Sequence, residues 1–210
     1  MSFSIRSIRK SCLRTQLLAI RLLKDRRGIA ATEFAVLVPV MLAMFFGTVE
    51  FSSAIAIKRK VTTMARTAAD LTSQASVVND TDLANFFAAS LGILTPYDST
   101  PTNTTVSELY VDPVSGDVRV EWSKGAAPRA VKSKVVIPTG LISRDPTTNA
   151  ILANQYLIFS EVNYLYKPVV DYAMRSLVTI PMSDVAYTRP RQSTCVFYPA
   201  TPSPATCPVL

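Results

Sequence analysis

The chain has 210 residues, no histidine and three cysteines, which removes histidine triads, histidine bases, histidine metal ligands and a four-cysteine zinc site. Its formal charge of +7 belongs entirely to residues 1–28, where eight cations face only Asp25, so the basic isoelectric point does not point to nucleic acid. No G-x-x-x-x-G-K-[ST] loop, G-x-S-x-G elbow or D-x-S-x-S metal-site pattern occurs, and no enzyme activity, cofactor or metal is expected.

Residues 1–28 read as a basic leader that would sit against anionic lipid. Leu13, Leu17, Ile20 and Leu23 recur at helical spacing among Arg14, Arg21 and Lys24, which suits either a helix on a membrane surface or a disordered basic tail.

Residues 29–57 follow as a transmembrane helix. From Phe34 to Val49 there is no charge at all, and about 20 apolar residues suffice to cross a bilayer. Pro39 lies inside this run; membrane helices tolerate proline. The cations before the span outnumber Lys58, Arg59, Lys60 and Arg66 after it, so the N-terminus is expected in the cytoplasm. Glu33 is the anomaly, because a carboxylate beside hydrocarbon is costly without a partner. It marks either the membrane edge of an ordinary anchor or a working site.

A secretory signal peptide is the competing reading. Its apolar core would be Phe34 to Phe46, and its cleavage site Ala54-Ile55-Ala56. The long leader, the overlong apolar run and Glu50 count against it.

Residues 58–78 are expected to continue the helix outside the membrane. Val61, Met64, Ala65, Ala68, Leu71 and Ala75 form one apolar stripe, and Arg66 and Asp70 are spaced to pair on the wet side. Residues 79–210 read as an α+β domain. Thr81 is positioned to cap a helix from Asp82 to Leu91 that Gly92 ends, and residues 95–105 read as loop. Thr105 to Val111 and Asp117 to Ser123 make a hairpin about the turn Asp112–Gly116, with Val118, Val120 and Trp122 on one face. Residues 124–150 form a basic loop with a short strand at Val135 to Ile137. Gln155 to Tyr166 is a central strand, apolar on both faces. Residues 169–178 are open between helix and loop, and Ile180 to Thr188 is a last strand. Cys195 and Cys207 lie in the part expected outside, where a disulfide can form; Cys12 lies in the leader.

The text "RRGIAATEFAVLVPVMLAMFFGTVEFSSAI" resembles the TadE-like pseudopilins of the tight-adherence (Flp) pilus system, with Gly28, Glu33 and Phe34 in the register of a type IV pilin-like processing site. "YKPVVDY" and "AYTRPRQ" are weaker echoes of the end of that family. The resemblance implies a pilin-like fold, with a long helix as spine of a small antiparallel sheet. It implies cleavage between Gly28 and Ile29 by a membrane aspartyl prepilin peptidase. Glu33 and Phe34 would then serve recognition and assembly. The implied partners are the peptidase, other pseudopilins, the Flp pilin, an inner-membrane platform driven by a cytoplasmic ATPase, and membrane lipid, with no nucleic acid. The implied setting is the bacterial inner membrane with a periplasmic C-terminal domain, incorporation into a pilus included, and the implied process is adhesion, biofilm formation and secretion. The alternative is an unprocessed, single-pass periplasmic scaffold or binding protein.

Overall fold

The computed structural model describes residues 27–168, 179–199 and 207. These fall into two compact units, one ending at Val49 and the other beginning at Glu50. The expected leader helix and the open stretch 169–178 lie outside the described residues.

Helix α1 runs Arg27–Ser73 and is continuous through Pro39. In the first unit its side chains from Ala31 to Val49 are exposed, Val38 alone being partly covered. In the second unit the same helix has a buried face. Ile57, Val61, Met64, Ala65, Ala68 and Ala69 repeat at three- and four-residue steps and are sealed from solvent. Thr72 and Ser73 extend this face in place of Leu71, which is only partly covered.

The second unit is a four-stranded antiparallel sheet in the order β2-β1-β3-β4, made of β1 (Thr102–Val111), β2 (Val118–Gly125), β3 (Gln155–Tyr166) and β4 (Ile180–Thr188). Long antiparallel sheet and one long helix make the fold α+β. The central position of β3 explains its two apolar faces. Ile158, Val162, Tyr164 and Tyr166 pack with the buried face of α1. Leu157 and Phe159 point to the opposite face, where Val135 and Ile137 cover them together with Leu109, Val111, Val118 and Val120.

The short helix α2 spans Asp80–Leu91, and its cap is Asn79 rather than Thr81. The Asn79 side chain accepts the Asp82 N–H while the Asp82 carboxylate accepts the Asn79 N–H. Gly92 follows in a right-handed conformation and leads into a turn of 3-10 helix, Gly92–Leu94, in place of a left-handed stop.

The hairpin turn holds through the Asp112 carboxylate, which accepts the Val114 N–H and the Ser115 hydroxyl, and Gly116 adopts φ +74. β1 begins at Thr102, three residues earlier than polarity suggests, because Thr102, Asn103 and Thr104 pair with the far end of β3.

The face assignment in β2 needs correction. A register shift between Glu108 and Leu109 pairs Leu109 with Val120 but Glu108 with Trp122, leaving Glu121 as the extra residue. One extra residue reverses the side-chain alternation. Trp122 therefore joins the helix-side core, while Val118 and Val120 remain on the other face. Val135 to Ile137 is not a strand. The segment lies along the outer edge of β2 through Lys132, Ser133 and Val135, whose backbone bonds to Val118 and Val120 cover that edge.

Candidate processing and assembly site

Gly28 and Ile29 lie in α1 close to the first described residue, Arg27, and glycine is the poorest helix former after proline. Gly28 is exposed, with nothing within 4 Å of where a side chain would begin. Glu33 lies about one helical turn beyond Ile29 along α1. Both Glu33 and Phe34 are exposed.

Beyond them comes a helix surface with no polar side. Phe34, Leu37, Met41, Met44, Phe45 and Phe46 are all bare. At about 25 cal/mol per Å² of apolar surface, such a stretch is far more stable in lipid or against another apolar helix than in water. α1 is the one helix among the described residues long and apolar enough to cross a membrane, and none of its apolar window is buried. From Ile29 to Val49 it rises about 30 Å at ~1.5 Å per residue, the thickness of a bilayer's hydrocarbon core.

The residues just past the apolar run turn inward to the second unit. Tyr166 donates its hydroxyl to the Glu50 carboxylate. Burial, and then that hydrogen bond, raises the Tyr166 phenol above its ordinary range. Lys58 Nζ donates to the Ser183 carbonyl at 2.5 Å and to Asp184 at 3.2 Å, and Thr62 donates to the same carboxylate. Lys60 Nζ donates to the carbonyls of Ile93 and Thr95, each at 2.8 Å. Two of the three cations that read as a membrane flank therefore lock α1 to its own sheet and loops; Arg59 remains exposed.

Asp70 does not pair with Arg66. Its carboxylate takes the Arg191 guanidinium and the Gln74 side-chain amide, and the Arg191 N–H bonds the Ser73 carbonyl at the end of α1. Arg189 reaches the Leu141 carbonyl and the Ser143 hydroxyl. The Arg189-Pro190-Arg191 run is thus a clamp between the last strand, the end of α1 and the loop over the opposite face. No spacing in the sequence announces it, because its partners lie about 50 to 120 residues away.

A second grouping has no precedent in the sequence reading. Glu108 is buried on β1. It accepts the Val196 N–H at 2.6 Å and the Trp122 indole N–H at 2.9 Å, and the indole also donates to the Val196 carbonyl at 2.7 Å. Burial pushes the Glu108 carboxyl up to about 8, and the bonds from Val196 and Trp122 oppose that only in part. Next to Val196, Cys195 is bonded to Cys207, with Cα atoms 5.8 Å apart, and packs against Tyr110 and Tyr156. The signal for Glu108 was its place in "VSELY", sharing a face with Val106 and Tyr110 in a strand whose centre is apolar. Among the described residues no three His, Cys, Asp or Glu side chains cluster as a metal site would need.

Residues 28–70 match the family model described as TadE-like protein. The chain is TadE-like over that stretch. The match takes in α1 from Gly28 nearly to its end and none of the sheet. No curated protein and no solved structure matches the chain. The TadE-like family comprises pilus components and is not an enzyme family. The match and the membrane-length helix together suggest a membrane protein associated with the Tad pilus.

Proposed function

We propose that this TadE-like protein is a minor pseudopilin of a Tad/Flp pilus assembly machine. It is anchored in the bacterial inner membrane by residues 29–49, with the leader cytoplasmic and the second unit periplasmic. The observation that carries this reading is one stretch of α1 inside the matched segment. It joins an exposed glycine, a carboxylate five residues later and a bare apolar surface of bilayer length.

A prepilin peptidase cuts between Gly28 and Ile29. The cut removes the +7 leader and creates an ammonium on Ile29. Glu33 of one subunit then pairs with the Ile29 ammonium of a neighbouring pseudopilin or pilin, where the low dielectric strengthens the attraction and selects register. The inner-membrane platform acts on the assembled subunits, and the process served is adhesion and biofilm formation.

The secretory reading fits the fold poorly. A cut after Ala56 would expose Ile57, a fully buried core residue, and would remove Glu50, the acceptor of the Tyr166 hydroxyl. The unprocessed-scaffold reading differs in assigning Glu33 no role. Glu33→Gln separates the two when cleavage, membrane level and surface piliation are measured in one strain. Cleavage and membrane level should stay normal, since the amide costs less near lipid than the carboxylate. Piliation should fall strongly. Normal piliation would overturn the pairing mechanism.

A further inference from the structure

One end of the second unit carries an unusual mixture of side chains. There β3 ends and β4 begins, with Tyr166 paired to Ile180 and Leu165 to Pro181. The Tyr166–Glu50 bond ties this end to the helix residues that directly follow Val49. Four large apolar side chains are exposed here: Phe51 at 69%, Ile55 at 39%, Leu165 at 45% and Ile180 at 42%. Leu165 borders a shallow cleft of about 170 Å³ walled also by Tyr97, Pro101, Tyr164, Tyr166 and Lys167.

Among the described residues the charges at this end are few and mostly committed. Glu50 accepts the Tyr166 hydroxyl, and Asp98 accepts the Thr100 N–H and hydroxyl. Lys60 is held by two carbonyls and lies 5.8 Å from the Tyr97 ring centre. Among the described residues at this end, Lys167 and Arg59 are the remaining cations.

Exposed apolar side chains beside the half-buried Tyr97 and the exposed Lys167 are what the headgroup region of a bilayer selects. The distances agree. Phe51 lies ~3 Å along the helix axis beyond Val49, inside the polar layer of roughly 5–8 Å on each side of a bilayer, and Ile55, ~9 Å beyond, lies at its outer margin.

We propose that this end of the second unit is a membrane-interface collar, in which Phe51, Ile55, Leu165 and Ile180 enter the phospholipid headgroup layer and Lys167 reaches lipid phosphate. The proposal rests on the reading that Ala31–Val49 spans the bilayer. The collar would have to leave lipid when a subunit is extracted into a pilus.

The test uses the full-length protein in phosphatidylcholine–phosphatidylglycerol vesicles whose acyl chains are brominated both near the headgroup and near the terminal methyl. Tryptophan is introduced singly at Met41, Leu165, Ile180 and Val114, and the signal of the native, buried Trp122 is subtracted from unsubstituted protein. Val114 lies in the hairpin turn at the other end of the sheet, about 30 Å away at ~3.3 Å per strand residue. Met41→Trp should be strongly quenched. Leu165→Trp and Ile180→Trp should be quenched at least about twofold more than Val114→Trp, as expected for side chains at headgroup depth. If Met41→Trp is quenched while Leu165→Trp and Ile180→Trp match Val114→Trp, the collar is wrong and the anchor stands. If Met41→Trp is not quenched, the anchor reading itself fails and the collar with it.

Discussion

The two stretches of α1, Ala31–Val49 and Glu50–Ser73, use much the same apolar residues to opposite ends. Phe34, Met41, Met44 and Phe45 have no protein cover, whereas Ile57, Val61 and Met64 have no exposure at all. What separates them is the rest of the helix surface. The later stretch alternates its apolar face with Lys58, Arg59, Thr62, Thr63 and Arg66, and it places Ala65, Ala68 and Ala69 where the sheet approaches. The earlier stretch has no polar side, so no orientation of it suits water. One helix is thus written for two solvents, and the change of pattern falls at Glu50.

Exchanging the two solvents' rules should break each stretch separately, and this is the largest expected effect. Val61→Asp places an unpaired carboxylate in the core, at a cost of several kcal/mol against a total domain stability of about 5–15 kcal/mol. The second unit should become protease-sensitive, while the protein still resists alkaline extraction from membranes. Leu42→Arg should do the reverse, weakening insertion by roughly 2.5–3.5 kcal/mol and leaving the sheet protease-resistant. Equal damage to both properties by either variant would contradict the division.

A pH series sharpens the same contrast at intermediate size. The Glu108 carboxyl has a folded-state pKa of about 8, raised from 4.5 by burial. A carboxyl raised on folding binds its proton more tightly in the folded state. Its stabilising contribution is therefore complete below pH 4.5 and is lost as pH rises through about 8. The denaturant midpoint of the second unit should fall across that window, and Glu108→Gln should flatten the fall. The helix signal of the lipid-embedded stretch should not follow it. Asp80, Asp98, Asp112, Asp117, Asp145 and Asp184 are shifted downward, so their influence lies at lower pH and does not mask this one.

The smallest effect should come from Asp70→Asn. The Asp70–Arg191 pair is largely solvent-exposed, and exposed pairs contribute about 0–1 kcal/mol. Chemical denaturation should shift little, because the Arg191 N–H keeps its bond to the Ser73 carbonyl. A loss comparable to that of a core substitution would mean that the Arg189-Pro190-Arg191 clamp depends on this one pair.

Strands β3 and β4 were legible because local alternation governs them. Gln155–Tyr166 and Ile180–Thr188 have the bounds their side-chain pattern predicts. The long helix was legible for the same reason. Long-range events were not. A bulge at Glu121 carried Trp122 to the opposite face, and Asp70 chose a partner 121 residues away over the one four residues away. Glu108 became a buried acceptor through Val196, 88 residues on. Asn79 displaced Thr81 as cap because it and Asp82 satisfy each other's backbone, a local contest that two adjacent capping candidates leave open. Of the candidate site, Gly28, Glu33 and Phe34 were readable as a register. The inward turn of Lys58 and Lys60 was not, since charge counting cannot tell a lipid flank from a lysine bonded to its own fold.

The most direct measurement of the central claim is the mass of the mature N-terminus, taken on protein extracted from membranes of cells that carry the prepilin peptidase. The account predicts a chain beginning at Ile29, with Gly28→Asp retaining the leader. A chain beginning at Ile57, or an intact leader in the presence of active peptidase, would contradict it.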